Sequence, residues 1–317
     1  MPLAIFLTRR VLSALLTLGA VSVIIFVITD VLPGDVATRI LGRAPDPEQL
    51  AILRERLGLD QSLVRRYFDW ITGCIQGDLG LSLVSSQPVS EIVGRRLFNS
   101  SLLALFAFVL YLPIAVIPAV IQAINRDRPI DHAISGITLG ILSIPDFLLG
   151  TILLIVFANL VPLAPPRSLV DSALSWHQVI VALMLPAVTI ALVMGTYAIR
   201  YLRDGLIEAL EADHIRMSRL NGIPERLILW RHALPNALIP AINITSLNLT
   251  YLFGGVVVVE QVFAFPGFGA LLVGSLMQLD VPLIQATVLI AAAVYIAGNL
   301  LADIAAILLN PRLRNVQ

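Results

Sequence analysis

The chain has 317 residues, 58% hydrophobic and 13% charged, with a mean hydropathy of +0.90 and no net charge. A soluble chain of this length cannot enclose so much apolar surface in one core, and a neutral chain has no basic footprint for nucleic acid. The composition points to a polytopic membrane protein.

All 21 basic side chains are arginine. A phosphate-binding P-loop needs a lysine at the terminal phosphates, so nucleotide hydrolysis that powers this protein is expected in another chain. The single cysteine, Cys74, cannot form an internal disulfide, and no Cys/His spacing suits a metal. Its bland reading is a small apolar residue on a helix face.

Roughly 20 apolar residues in helix cross a bilayer core of about 30 Å. Six segments qualify: Val11–Thr29, Leu102–Ile124, Ala133–Val161, Val179–Ile199, Pro240–Val259 and Pro282–Leu309. The first, with Arg9 and Arg10 ahead of it, has the look of a signal peptide. Its apolar run is too long, however, and no small-residue cleavage site precedes Asp30, so a retained span is expected.

Residues 31–98 form a segment between the first two spans. Asp46-Pro47-Glu48-Gln49 combines a helix cap, a first-turn proline and early acid, and Gly58 supplies the stop. A second helix from Asp60 places Leu63, Tyr67, Trp70 and Cys74 on one stripe before Gly77-Asp78-Leu79-Gly80 turns the chain. A small helical cap is expected rather than a disordered loop.

Arginine placement sets the orientation. Arg9 and Arg10, Arg126 and Arg128, six arginines within 200–240, and Arg312 and Arg314 put both termini and the loops 125–132 and 200–240 in the cytoplasm. Residues 31–98 then lie outside, where their length weakens the rule.

Residues 200–240 are charge-rich yet patterned. A helix from about Asp204 to Asn221 would carry Leu206, Leu210, His214, Met217 and Leu220 near one face and Glu208, Glu211, Arg216 and Arg219 on the rest. Gly222 breaks it, Pro224 starts a second helix in its first turn, and Pro235 and Pro240 fix the return to the membrane. An interfacial helix lying on lipid is the bland reading. The near balance of acids and arginines favours a protein partner instead.

On the outer side, Glu260 is followed by Pro266-Gly267-Phe268-Gly269 and an apolar run too short to span, ending near Asp280. Backbone that leaves helix geometry near membrane depth must line a cavity or lie inside protein, so this re-entrant segment is a candidate mouth of a pathway. In the last span, Asn299 and Asp303 read either as pathway or gate residues or as interhelical hydrogen-bonding groups. The four histidines lie in loops or at span ends, with no ligand spacing on an apolar helix.

Here the residues carry a resemblance. Gly222, the nine residues Ile223–Arg231, His232, Ala233, Leu234 and Pro235 resemble the EAA loop of importer permeases in the ATP-binding-cassette superfamily. The similarity is to the dipeptide/oligopeptide/nickel branch, in which Asp213, Ile215, Arg216, Arg219 and Gly222 keep the usual pattern. His214, Met217, Ser218, Leu220 and Asn221 depart from it. Leu32-Pro33-Gly34-Asp35, Gly77-Asp78-Leu79-Gly80, Ser143-Ile144-Pro145-Asp146-Phe147, Pro266-Gly267-Phe268-Gly269, Asp280 and Asn310-Pro311-Arg312 extend the resemblance over nearly the whole chain.

The resemblance implies an all-α type I importer permease fold with six transmembrane helices. Its segments are 1–30, external 31–98, and a five-span core over 99–317 that includes the cytoplasmic coupling loop. It further implies a bacterial inner-membrane complex with a second homologous permease (a heterodimer), two cytoplasmic ABC ATPases that use ATP and Mg, and an external solute-binding protein, all in contact with membrane lipid. No cofactor or metal and no catalytic residue is expected in this chain.

Coupling to the ATPase would fall to Glu208, Asp213, Arg216, Arg219, Gly222, Leu234 and Pro235. The pathway or gate would fall to Glu260, Pro266, Gly267, Asn299 and Asp303. The expected solute is a di- or oligopeptide, with nickel or another small solute as the alternative. A secondary transporter fits less well, for want of internal repeats and charged or broken spans. A membrane-embedded protease lacks partners for Ser143 and Ser246 and an intramembrane twin for Asp303.

Overall fold

The computed structural model describes residues 3–31, 48, 61–168, 175–238 and 256–309, excluding the side chains of 3–7, 31, 302, 303 and 305–309. The described residues are mainly helical, with one isolated antiparallel bridge between Leu81 and Pro88 and no strand among them. Four helices are long and apolar enough to cross a membrane: Thr8–Asp30, Val89–Ile124, Trp176–Glu211 and Val281–Leu301. The architecture is that of an all-helical, multi-pass membrane protein. All of the cap expected over Asp46–Gly58 except Glu48, and most of the expected span Pro240–Val259, lie outside the described residues.

The chain divides into two compact units, Met1–Phe98 with Ala270–Ile296, and Asn99–Gly269 with Ala297–Gln317. In the first, α1 (Leu3–Val31) is met by the amphipathic α2 (Leu63–Gln76). Phe26 of α1 packs edge-on against Tyr67, with ring centroids 5.5 Å apart, and lies 5.6 Å from Trp70. Ser22 hydrogen-bonds the Tyr67 hydroxyl at 2.9 Å, and Arg66 pairs with Asp30 at 2.7 Å.

The predicted stripe of Tyr67 and Trp70 is therefore the face that packs. Leu63 stays largely exposed, and burial pushes the Cys74 thiol up, away from reactivity. Gly77 ends α2 in the left-handed conformation at φ 87°, donating its N–H to the Cys74 carbonyl. The turn that follows is pinned by Asp280, which is buried. Its carboxylate accepts from the Ser82 hydroxyl at 2.6 Å and from the Leu83 N–H at 3.1 Å.

The second unit is built on two long helices, α3 (Val89–Ile124, which enters it at Asn99) and α6 (Trp176–Glu211). A capping box starts α6: the Ser175 side chain accepts from the Gln178 N–H, and the Gln178 side chain accepts from the Ser175 N–H. The core gathers Leu103, Ala107 and Tyr111 of α3, Leu183, Ile190 and Met194 of α6, and Phe263 and Phe265. At 36 residues, α6 is about 54 Å long by the helical rise, more than a bilayer core is thick, so its C-terminal turns project beyond the apolar stretch.

The third expected span is not one helix. It is α4 (Pro129–Leu142) and α5 (Asp146–Leu154, continued by wide turns over Ile155–Leu160), bent by 105° at the break. Pro145 explains the break, because proline disfavours helix at the preceding residue and has no N–H to donate. Beyond it, Leu149 and Gly150 are buried, and a Cβ at Gly150 would stand 3.2 Å from the Phe263 ring.

Candidate functional site

The continuous helix expected over Asp204–Asn221 is interrupted. Helix α6 ends at Glu211, Ala212 is extended at φ −65° and ψ 146°, and a new helix α7 runs over Asp213–Leu220. The break follows from what is buried. Leu206 and Ala209 point into the core before the break and Ile215 after it, a change of face that one straight helix does not provide.

The expected apolar face is thus wrong beyond Leu210. His214 is exposed, and Met217 and Leu220 are 58% and 77% exposed. Glu208, Asp213 and Arg216 are exposed as well. Only Ile215 of α7 is buried, so the helix rests on one side chain and presents nearly all of its remaining surface outward.

Arg219 anchors the far end. Its guanidinium pairs with Glu225 at 2.7 Å and reaches the Leu210 carbonyl at 3.3 Å. Gly222 then turns the chain at φ +75°, where an L side chain is strained although the space around a Cβ is open.

Pro224 is the cap before α8 (Glu225–Leu227) rather than its first-turn residue. The helix continues as wide turns over Ile228–Ala233 and returns to α-helix through 234–238. The widening lies just before Pro235, whose ring would clash with the carbonyl four residues back in a regular helix. Leu234 is buried and Pro235 exposed.

Leu229, Ala233 and Leu234 pack with Ala119 and Ala123 of α3 and with Leu202 and Leu206 of α6 into one apolar cluster. Beside it opens a cleft of about 460 Å³, whose walls include Ile124, Ile207, Leu229, Arg126 and Arg226.

A charged joint that the sequence reading missed sits next to this cluster. Asp131, on the first turn of α4, is 1% exposed, and its carboxylate accepts from Arg203 Nε at 2.8 Å and Arg203 Nη2 at 2.6 Å. It also accepts from the Asp127 N–H at 3.0 Å and from Gln122 Nε2 at 3.1 Å.

The two-pronged contact with the guanidinium favours the charged carboxylate at this buried place. No spacing signal announces a pair 72 residues apart; the only hint is a charge at the end of each span.

At the other expected site, Glu260 of α9 (Val256–Val262) is fully buried. Its carboxylate accepts a short hydrogen bond from the Ser100 hydroxyl, whose oxygen in turn accepts from the Phe268 N–H at 2.7 Å. Pro266 offers its carbonyl to the Asn99 amide at 2.9 Å. A Cβ at Gly267 would lie 2.0 Å from Glu260 Oε1, and one at Gly269 would lie 2.7 Å from the Val257 Cα.

Glu260, Pro266 and Gly267 therefore form one packed, hydrogen-bonded turn with Ser100 and Asn99. The turn leads into α10 (Phe268–Gln278), the short apolar helix expected there. Asn299 and Asp303 both lie on α11 (Val281–Leu309), where Asn299 is half-buried. The Asp303 side chain lies outside the described residues.

Among the described residues no three His, Cys, Asp or Glu side chains are grouped to hold a metal ion. The arrangement offers a presented helix, a charged joint and a closed polar turn.

Comparison with known proteins agrees with this geometry. Residues 111–315 match the family described as Binding-protein-dependent transport system inner membrane component. Residues 3–104 match the N-terminal part described for membrane components of the same systems. A peptide transport system permease protein of Brucella abortus (strain 2308) is 35% identical over 309 residues, covering 96% of this chain and 98% of that protein.

The glutathione transport system permease protein GsiC of Escherichia coli (strain K12) is 33% identical over 309 residues, covering 98% of each. A presented helix between spans, a family match over most of the chain and relatives aligned end to end agree: this chain belongs to the binding-protein-dependent transport system inner membrane components, the permease subunits of ABC importers.

Proposed function

We propose that the chain forms half of the translocation pathway for a peptide-like solute, delivered by an external binding protein and driven by ATP hydrolysis in separate subunits. The names of its relatives, a peptide and a glutathione permease, support the solute class over nickel. The full assembly would hold a second homologous permease and two cytoplasmic ATPases that use ATP and Mg. Six spans would place both termini and residues 200–240 in the cytoplasm and residues 31–98 outside.

The observation that carries this reading is α7. It is short, stopped on both sides, anchored behind by Ile215 and Arg219, and bears exposed Met217 and Leu220 beside exposed Asp213 and Arg216. Large apolar side chains exposed together on a rigid helix suit a protein cleft. In this reading ATP binding closes the ATPase pair, and the seated helix carries α6 and its apolar cluster with it. Glu208 is an exposed coupling residue on α6, Leu234 packs in that cluster, Pro235 starts the return to the membrane, and Gly222 sets the exit angle of α7. The turn at Glu260, Pro266 and Gly267, with Asn299 and Asp303, remains the proposed pathway region.

Leu220→Asp puts a charge on the presented face without touching the core. It should leave the chain inserted and thermally stable, while the ATPase subunits no longer co-purify and their solute-stimulated hydrolysis falls at least tenfold. Wild-type co-purification and hydrolysis in that variant would remove α7 as the coupling element.

A further inference from the structure

Helix α4, the first half of the broken third span, is attached to its unit in an unusual way. Asp131 is its one buried side chain. The apolar cluster behind the coupling segment draws its buried residues from α3, α6 and residues 228–238, and none from α4. Ile134, Ser135 and Ile141 are half-buried, and Ile137 and Leu139 are exposed. The one buried anchor of α4 is therefore polar, although the helix also runs close along α6.

That buried anchor is a hydrogen-bonded joint. The Arg203 fork grips the Asp131 carboxylate with two parallel hydrogen bonds, the geometry that best resists rotation of one partner against the other. The same carboxylate holds the N–H of Asp127, which is in the left-handed region at φ 61°. Gln122 of α3 donates to both oxygen types of Asp131 and to the Ser135 hydroxyl at 2.8 Å, closing the joint from the third helix.

The two sides of this joint lead to different places. Arg203 stands on α6, ten residues before Asp213, within the stretch whose Leu202 and Leu206 belong to the coupling cluster. Asp131 opens α4, which passes through the Pro145 break into α5. There Gly150 packs against Phe263, three residues from the Pro266 turn.

We infer that the Asp131–Arg203 pair is the mechanical joint through which displacement of the coupling segment is passed to the broken third span and so toward the Pro266 turn. Asp131 and Arg203 are positioning residues, acting through the helices they join. The inference rests on the permease reading for what drives the movement, but the joint itself is a property of this chain.

The test uses the full chain with Cys74→Ser and spin labels at Ile137→Cys on α4 and at the exposed Tyr201→Cys on α6. The labels are read in the isolated chain and in the complex that co-purifies with it, with and without ATP plus vanadate. With the native pair, the distance distribution should be narrow and unchanged by nucleotide, because the two helices move as one. In Asp131→Asn it should at least double in width and shift on ATP plus vanadate, while ATP hydrolysis stays above half of the native rate. Import of tritiated trialanine per ATP hydrolysed in proteoliposomes should fall at least threefold.

Arg203→Lys keeps the charge but loses the fork and should give an intermediate loss; it replaces Asp131→Asn if that variant does not accumulate. A narrow, nucleotide-independent distribution in the variants overturns the joint, whatever the import result. Unjoined helices with a native import ratio overturn its role in transmission. A native complex that lacks ATPase subunits or imports no trialanine counts against the permease or solute reading instead, and the distances in the isolated chain still decide the joint.

Discussion

Gly267 and Gly269 are required by different neighbours, and substitution should distinguish them. A Cβ at Gly269 meets the Val257 backbone at 2.7 Å, which cannot swing away, whereas at Gly267 it meets the end of the Glu260 side chain. Gly269→Ala should cost about 2–3 kcal/mol by overpacking, seen as a clear fall in Tm of the detergent-solubilised chain. Gly267→Ala should act by expelling Glu260 from the Ser100 hydroxyl, so combining it with Ser100→Ala should add little beyond either single change.

Among the elements, α7 owes its presentation to two stops of different kinds. Ala212 leaves the helix with ordinary extended angles, a conformation any residue adopts, whereas Gly222 sits at φ +75°. Gly222→Val should therefore strain the exit by about 1 kcal/mol or more, with no steric clash to add, since space around the site is open. ATP hydrolysis should persist while solute uptake falls several-fold, the pattern of an uncoupled transporter. Native uptake in that variant would show that the exit angle of α7 is unimportant. The wide turns before Pro235 belong to the same design, since they let the helix run on through a proline into the apolar cluster.

For the molecule as a whole, the proposed orientation can be read by labelling intact cells. In a Cys74→Ser background, single cysteines at Met217 and at Met277, both well exposed, report on opposite sides. An impermeant maleimide added outside should label position 277 and spare 217 until the membrane is opened. The reverse pattern would invert the assignment of the termini. Native Cys74, half-buried with its thiol pushed up, should react slowly in either case.

Hydropathy alone made the class and most spans legible, because a helix must satisfy its own backbone in lipid and a run of about 20 apolar residues leaves no other solution. The loop spacing around Gly222 and the Pro-Gly turn after Glu260 were equally readable, since glycine and proline act locally on the backbone. The apolar face of 204–221 was misread beyond Leu210 because helical periodicity assumes a straight helix, and only the burial of Ile215 reveals the change of face at Ala212. The bend in the third span was hidden for a similar reason: Pro145 marks a break, but a proline by itself does not fix the 105° between the two halves. The sequence by itself thus determined the membrane class, four of the spans and most of the local stops. Only the tertiary structure decided that Asp131 meets Arg203 and that Glu260 closes on Ser100 and Gly267, because such pairings depend on distances between helices far apart in the chain.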